Sequence, residues 1–158
     1  MIQSILFVCT GNTCRSPLAE IIARCICSQA GLDLRISSAG TMVMFTTPWS
    51  DHVLTIARER NMDSSHRRSI QVNAALLADA DLIMVMTQRH RDFLLSSFPD
   101  LLLAEKCFLL KEYLGPPAAD DREIGDPYGG PLELYRQVAS ELEELLVNLP
   151  ARLQDDQR

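Results

Sequence analysis

The segment that most constrains the fold of this chain is an apolar run that leads directly into a short polar loop and a proline. Residues 5–8 are all apolar, and the sequence after them reads Cys9-Thr10-Gly11-Asn12-Thr13-Cys14-Arg15-Ser16-Pro17. A continuous apolar run is typical of a strand buried on both faces of a parallel sheet. A serine followed by a proline is typical of an N-cap and the first helical residue. The sequence therefore predicts a strand, a tight loop and a helix in immediate succession.

The rest of the chain alternates between strand-like and helix-like segments. Further strands are predicted at 34–38, 82–86 and 107–109, and a helix is predicted to open at Thr47-Pro48. Strand–helix–strand units connect through right-handed crossovers and build a parallel sheet. We therefore expect an α/β protein, with a doubly wound, four-stranded parallel sheet and helices on both faces. Ligands of such folds bind beyond the carboxyl ends of the strands, where the loop after residue 8 lies.

Size and composition fit one soluble domain. The chain has 158 residues, of which 47% are hydrophobic, and this suits a single core. We expect a domain over residues 1–153 and a short polar tail at 154–158. A net charge of −6 argues against a nucleic-acid partner, which needs clustered positive charge. No run approaches the ~18 apolar residues of a membrane span, and residues 1–4 do not resemble a signal peptide.

Five cysteines are spread unevenly along the chain, at Cys9, Cys14, Cys25, Cys27 and Cys107. An odd, uneven set resembles no secreted disulfide framework, so we expect a reducing, cytoplasmic compartment. No cysteine–histidine spacing indicates zinc.

The loop between Cys9 and Arg15 has the composition of an oxyanion site. Five residues separate the cysteine from the arginine, and a loop of this length can wrap its N–H groups around a phosphate-sized anion. The helix N-terminus and the guanidinium both favour a cysteine thiolate, and Ser16 can hydrogen-bond to the sulfur. Gly11 is expected to supply a positive φ, and Asn12 to brace the loop. These features indicate a phosphatase with a cysteine nucleophile.

Cleavage by a thiolate needs an acid that protonates the leaving group. Asp126 is the best candidate, because it lies in a glycine-rich loop, precedes the rigid Pro127 and has Tyr128 as an aromatic neighbour. Asp120 and Asp121 are the nearest rivals, but they form an acidic run that suits solvent better.

In its order of motifs the chain resembles the low-molecular-weight protein tyrosine phosphatases. The resemblance rests on residues 9–17, Ser38-Ala39-Gly40, His66 and Asp126-Pro127. It implies a four-stranded parallel sheet, a monomer acting on phosphorylated proteins, and a phosphocysteine intermediate formed without metal or other cofactor. It also implies that Asp126 acts first as an acid and then as a base toward water.

The resemblance carries further roles onto matching residues. Substrate or phosphate contacts are implied for Thr10, Gly11, Asn12, Thr13, Cys14, Ser16 and Tyr128. Support of the loop is implied for Asn12, Ser16, Ser38 and His66. After the histidine the family usually has a small residue and then arginine, whereas this chain has Arg67-Arg68-Ser69.

Thr13 bears on the choice of substrate. Tyrosine-directed members usually have isoleucine at this position, whereas the protein arginine phosphatase branch has the loop sequence found here. A guanidinium suits a pocket with a hydroxyl and the Asp126 carboxylate better than one with an apolar wall. We therefore expect hydrolysis of protein phosphoarginine, with phosphotyrosine as the alternative.

Two other functions compete. Arsenate reductases share the loop but need a close cysteine pair downstream, near residues 80–90, and this chain has none there. A module that only binds phosphate would need neither the nucleophile nor the acid.

Cys14 and Phe45 have two open interpretations, whereas Trp49 and His90 each have one expected place. Cys14 is either a redox partner that protects Cys9 from over-oxidation or a packing residue. Trp49 is expected in the core, and Phe45 is equally suited to the core or to substrate stacking. His90 is expected on a solvated helix face.

Overall fold

The computed structural model describes residues 1–64, 67–117 and 120–156. Within these residues the strands are β1 Ser4–Cys9, β2 Arg35–Gly40, β3 Leu82–Val85 and β4 Cys107–Leu109. The helices of the same part are α1 Arg15–Gln29, α2 Asp51–Glu59, α3 Ala74–Asp79, α4 Gln88–Ser97, α5 Leu110–Leu114, α6 Leu132–Leu146 and α7 Leu149–Asp155. Two 3-10 turns, Pro99–Leu101 and Leu103–Glu105, precede β4.

The strands form one parallel sheet in the order β2-β1-β3-β4. The chain steps outward from β1 to β2 and then returns past β1 to β3, so the strand order reverses at β1. At the carboxyl end of β1, Cys9 pairs with Gly40 of β2, and Val8 pairs with Val85 of β3. Ligands of open parallel sheets bind at such a reversal. The predicted four-stranded α/β fold is confirmed, and its topology points to the loop after Cys9.

Alternate side chains of β1 enter two separate hydrophobic cores. Ile5 and Phe7 pack with residues of α1, α2, α5, α6 and α7, whereas Leu6 and Val8 pack with residues of α3 and α4. Successive side chains of a strand point to opposite faces. An unbroken apolar run is therefore what a strand covered on both faces requires. Each fully buried side chain of this size stabilises the fold by about 1.5–3 kcal/mol.

Helix α1 begins earlier than the sequence suggested. Arg15 is its first residue, and Cys14 takes the N-cap position without a side-chain capping bond. Ser16, expected as the N-cap, lies inside the first turn, and its hydroxyl lies 3.0 Å from Sγ of Cys9. The prediction of Ser16 as a cap was wrong because a tertiary partner, the cysteine sulfur, takes the hydroxyl.

Helix α2 begins later than predicted, at Asp51 rather than at Thr47-Pro48. Pro48 instead forms an antiparallel bridge with Arg68, and the N–H of Thr47 donates to Oγ of Ser69 at 2.9 Å. These contacts hold the segment extended until Ser50. Trp49 is 2% exposed, so its expected place in the core is confirmed.

The C-terminal helical segment consists of two helices. Helix α6 ends at Leu146, and α7 begins at Leu149 with Pro150 in its first turn. Proline has no backbone N–H to donate, so it interrupts the hydrogen bonding of a helix that would continue through it. It fits the first turn of a new helix, where this N–H is not needed. Because α7 continues to Asp155, the first two residues of the expected polar tail are helical.

Candidate active site

The loop from Cys9 to Arg15 is fixed at both ends by regular structure. Cys9 is the last residue of β1, and Arg15 is the first of α1. Carbonyl oxygens of the loop accept hydrogen bonds from outside it: Thr41 N–H donates to Cys9 at 2.9 Å, and Ser50 N–H donates to Thr13 at 3.0 Å. The loop is therefore held by its outward-facing carbonyls.

Gly40 allows β2 to approach the loop closely. A Cβ at this position would lie 2.5 Å from the carbonyl oxygen of Thr10 and 3.0 Å from the amide nitrogen of Asn12. Both contacts are with backbone, which cannot move aside without displacing the loop. Glycine is therefore required here for steric reasons.

Asn12 braces the loop from behind. Its φ is +52°, so the left-handed conformation expected at Gly11 is found at Asn12. Its fully buried side chain donates through Nδ2 to Oγ of Ser16 at 2.8 Å and to Oγ of Ser38 at 2.9 Å. Its Oδ1 accepts the N–H of Ile70 at 2.9 Å. The side chain of Asn12 is thus committed to protein partners.

The sulfur of Cys9 has a defined hydrogen-bond partner. Oγ of Ser16 lies 3.0 Å from Sγ of Cys9, and it already accepts a hydrogen bond from Asn12. The Ser16 hydroxyl proton is therefore left to donate, either to the sulfur or to the carbonyl of Ala39 at 3.4 Å. A donor aimed at sulfur stabilises a thiolate relative to a thiol.

Arg15 reaches across the cavity to the segment that carries the candidate acid. Its Nη1 donates to the carbonyl of Ile124 at 3.1 Å, and its Nη2 lies 3.4 Å from Oδ2 of Asp126. The N–H of Ile124 in turn donates to the carbonyl of Met86, just beyond β3. Asp126 also accepts the N–H of Tyr128 at 3.1 Å. The sheet thus positions both Arg15 and the loop that faces it.

A cavity of about 310 Å³ lies above the loop. It is lined by Cys9, Thr10, Gly11, Thr13, Cys14, Arg15, Asp126 and Tyr128. The structure therefore brings the candidate nucleophile, arginine and acid to one cavity. Of the residues with implied phosphate contacts, Asn12 and Ser16 lie behind the loop rather than among the residues lining the cavity.

The rival acids lie elsewhere. Asp120 and Asp121 line a different cavity, and Asp121 forms an ion pair with Lys111 at 2.7 Å. Neither carboxylate lines the cavity that holds Cys9.

Cys14 is a buried neighbour of the cavity. Its Sγ lies 3.3 Å from Oη of Tyr135 and 3.5 Å from Oγ1 of Thr13. Burial raises the pKa of the Cys14 thiol, which favours its neutral form. Burial likewise raises the pKa of Tyr135 to about 12, so the phenol remains protonated.

A buried carboxylate that no motif in the sequence indicates supports the loop. Glu20 is 3% exposed, accepts a hydrogen bond from Oγ of Ser38 at 2.6 Å, and pairs with Arg24 at 3.0 Å and Arg67 at 3.5 Å. Burial raises the pKa of Glu20 despite these partners. His66, for which loop support was implied, lies outside the described residues.

His90 is the second residue that the sequence did not identify. We expected it in solvent, but it is 4% exposed, and its Nε2 lies 2.8 Å from Oγ1 of Thr10. The expectation was wrong because Thr87 caps α4 directly after β3, which turns the first helical turn toward the loop. The Thr87 cap can be recognised from the sequence. Its position at the carboxyl edge of the sheet is the feature that could have placed His90 near the loop.

Two features are absent from the described residues. Within residues 1–64, 67–117 and 120–156, no helix has the length and apolar character needed to cross a membrane. Over the same ranges, no group of three or more histidine, cysteine or acidic residues is arranged to hold a metal ion.

Comparison with known proteins identifies the class of enzyme. Residues 4–158 match the family described as low molecular weight phosphotyrosine protein phosphatase. The chain belongs to this family of protein phosphatases.

Individual relatives cover nearly the whole chain. The protein-arginine-phosphatase of Bacillus subtilis is 36% identical over 156 residues, which are 99% of this chain and 100% of that protein. The low molecular weight protein-tyrosine-phosphatase PtpB of Staphylococcus epidermidis is 33% identical over 145 residues, covering 91% of this chain and 94% of that protein. A mutant YwlE arginine phosphatase with a phosphorylated active-site serine matches with a TM-score of 0.87 and 34% identity, covering 97% of each chain.

Proposed function

We propose that this protein hydrolyses the P–N bond of phosphoarginine in proteins through a phosphocysteine intermediate on Cys9. The observation that carries the proposal is the meeting of the Cys9 sulfur, the Arg15 guanidinium and the Asp126 carboxyl in one cavity. A nucleophile, an anion-binding group and an acid are the three parts that phosphoryl transfer to sulfur needs.

In the first step the thiolate of Cys9 attacks phosphorus. The P–N bond breaks, its electron pair goes to the guanidine nitrogen, and that nitrogen takes a proton from the carboxyl of Asp126. Arg15 binds the phosphoryl oxygens with its forked donors, and the carbonyl of Ile124 fixes its orientation. Arginine leaves, and the phosphoryl group remains on sulfur.

In the second step water releases the phosphoryl group. Asp126, now a carboxylate, takes a proton from a water molecule whose oxygen attacks phosphorus. The S–P bond breaks, its electron pair returns to sulfur, and inorganic phosphate leaves. The hydroxyl of Ser16, 3.0 Å from the sulfur, stabilises the departing thiolate.

The other residues have separate roles in this scheme. Thr10, Gly11, Thr13 and Cys14 surround the phosphoryl group and the start of the leaving group. Asn12, Ser16 and Ser38 hold the loop, and Tyr128 contacts the substrate at the entrance, where it is 78% exposed.

Two observations support phosphoarginine as the substrate. Thr13 lines the cavity where an apolar wall would suit a phenyl ring, and Asp126 supplies a half-exposed carboxyl group whose oxygens accept hydrogen bonds from guanidinium N–H groups. The relative from Bacillus subtilis is a protein-arginine-phosphatase that aligns with 99% of this chain.

Phosphotyrosine is the second candidate substrate. It is favoured by the name of the family and by the relative from Staphylococcus epidermidis, which is a protein-tyrosine-phosphatase 33% identical to this chain. The test compares kcat/KM on peptides of one sequence that carry either phosphoarginine or phosphotyrosine. We expect a preference for phosphoarginine, and a preference for phosphotyrosine would establish the second candidate instead.

A further inference from the structure

His90 is a buried side chain that the reaction outlined above does not use, although it contacts the residue next to the nucleophile. We propose that His90 is a positioning residue, which donates a hydrogen bond from Nε2 to Oγ1 of Thr10 and so directs the Thr10 hydroxyl proton toward the phosphoryl group. The two atoms are 2.8 Å apart, and Thr10 lines the cavity. The proposal rests on the proposed phosphatase function.

The contact with Thr87 is the basis on which we place the ring proton. As the N-cap of α4, Oγ1 of Thr87 accepts the backbone N–H of His90 at 3.4 Å, and it lies 3.2 Å from Nδ1 of the same residue. Having accepted the backbone N–H, the Thr87 hydroxyl has its own proton to donate, and Nδ1 is the acceptor beside it. A neutral ring then carries its proton on Nε2, the nitrogen that faces Thr10.

The surroundings of His90 keep the ring neutral. Burial lowers the pKa of His90 to about 4, and the positive charges of Arg15 and Arg89 act in the same direction, whereas Asp126 opposes them. A neutral imidazole has one donor and one acceptor nitrogen, so the contact with Thr87 determines what the ring offers to Thr10.

The backbone of Thr10 is held independently of His90. Its carbonyl oxygen accepts the N–H of Met42 at 2.9 Å. His90 therefore orients the hydroxyl rather than the chain. A hydroxyl oxygen that accepts a hydrogen bond keeps its proton for another acceptor, and in this cavity the strongest acceptor is a phosphoryl oxygen. A donor fixed in advance at that position stabilises the charge of the transition state.

The first test compares two substitutions at one position, with an aryl phosphate as substrate so that preference among phosphoamino acids plays no part. His90→Leu removes the donor, whereas the side-chain amide of His90→Gln can replace Nε2–H. We expect kcat/KM to fall by roughly 10-fold for leucine and to stay within about 3-fold of wild type for glutamine. Equal losses in the two variants would overturn the proposal.

Leu94→Ala is the matched control, because Leu94 is a buried residue of the same helix that packs in the core of α3 and α4. It lowers stability without touching Thr10, so kcat/KM is expected to match wild type at a temperature where the variant is folded. A loss as large as that of His90→Leu would attribute the effect to helix packing and overturn the proposal.

A double-mutant cycle tests the route through Thr10. In a Thr10→Val background, His90→Leu is expected to change kcat/KM by less than about 2-fold. A 10-fold loss that persists in this background would show that His90 acts by another route.

The tautomer of the His90 ring can be determined by a measurement that does not depend on catalytic activity. Long-range ¹⁵N–¹H NMR of the wild-type protein at neutral pH is expected to show a proton on Nε2 of His90 and none on Nδ1. The opposite tautomer would overturn the proposal. An inactive wild-type protein would contradict the phosphatase function, whereas this spectrum tests His90 separately.

Discussion

The guanidinium of Arg15 lies 3.4 Å from the carboxylate of Asp126, and the two side chains differ sharply in burial, with relative exposures of 6% and 49%. Arg15 is fixed by its second hydrogen bond to Ile124, whereas Asp126 projects into the cavity from a loop. A rigid anion-binding group and an accessible carboxyl are what the proposed reaction requires, because the carboxyl must exchange protons with both the leaving group and water.

Asp126→Asn removes the acid while preserving the size of the side chain. We expect kcat on phosphoarginine peptides to fall roughly 100-fold or more, with a smaller loss on aryl phosphates whose leaving groups need no proton. Steady-state kinetics on both substrate types provide the measurement. Asp121→Asn, which changes the carboxylate paired with Lys111, is the control and should retain wild-type kinetics. Equal behaviour of the two variants would refute the assignment.

Thr13→Ile tests the wall of the cavity. The hydroxyl next to the leaving group becomes apolar, so the ratio of kcat/KM for phosphoarginine to that for phosphotyrosine should fall by about 10-fold or more. Thr55→Ile, on the half-buried face of α2, makes the same chemical change away from the cavity and should leave the ratio unchanged. An unchanged ratio in Thr13→Ile would show that this residue does not select the substrate.

Two substitutions at Asn12 separate the energetic cost of its left-handed backbone from the loss of its side-chain hydrogen bonds. Asn12→Gly and Asn12→Ala both remove the contacts to Ser16 and Ser38, but only glycine accepts a φ of +52° without strain. We expect both variants to lose activity, and the alanine variant to be less stable than the glycine variant by about 1 kcal/mol. Urea unfolding measures the difference, and a more stable alanine variant would contradict this account.

His90 should make stability depend on pH. Its pKa is lowered from 6.5 to about 4 in the folded protein, so the unfolded chain binds more protons between these values. The contribution of His90 to the free energy of unfolding is therefore expected to be fully present above pH 6.5. It should be lost as the pH drops toward 4, which lowers the free energy of unfolding by at most roughly 3 kcal/mol.

Urea unfolding of the wild type and of His90→Gln at several pH values above 4 measures this contribution. The glutamine variant lacks the titrating group, so its stability should fall less steeply with decreasing pH. Parallel curves for the two proteins would show that His90 contributes nothing to the pH dependence.

The strand–loop–helix unit was predictable because its signals are local. The apolar run at residues 5–8 and the spacing of Cys9 and Arg15 both act within a few residues along the chain. Their outcome depends little on the rest of the fold.

Long-range contacts account for what the sequence did not predict. Ser16 is drawn into the helix by the sulfur of Cys9, and His90 becomes buried only because α4 packs beside the loop that carries Thr10. Similarly, Glu20 gains Arg67 as a partner from a distant segment. The sequence therefore did not identify His90 or Glu20 as part of the site. Phe45, left open between two interpretations, is 77% exposed, which excludes it from the core.

The central claim is that a phosphoryl group is carried transiently by the sulfur of Cys9. Rapid acid quenching of Asp126→Ala during turnover of an aryl phosphate, followed by peptide mass spectrometry, tests it directly. We predict one phosphoryl group on the peptide containing Cys9, located at that cysteine rather than at Cys14, and no turnover in Cys9→Ser. Cys25→Ser, outside the cavity, should behave like wild type. Undiminished hydrolysis by Cys9→Ser would contradict the account.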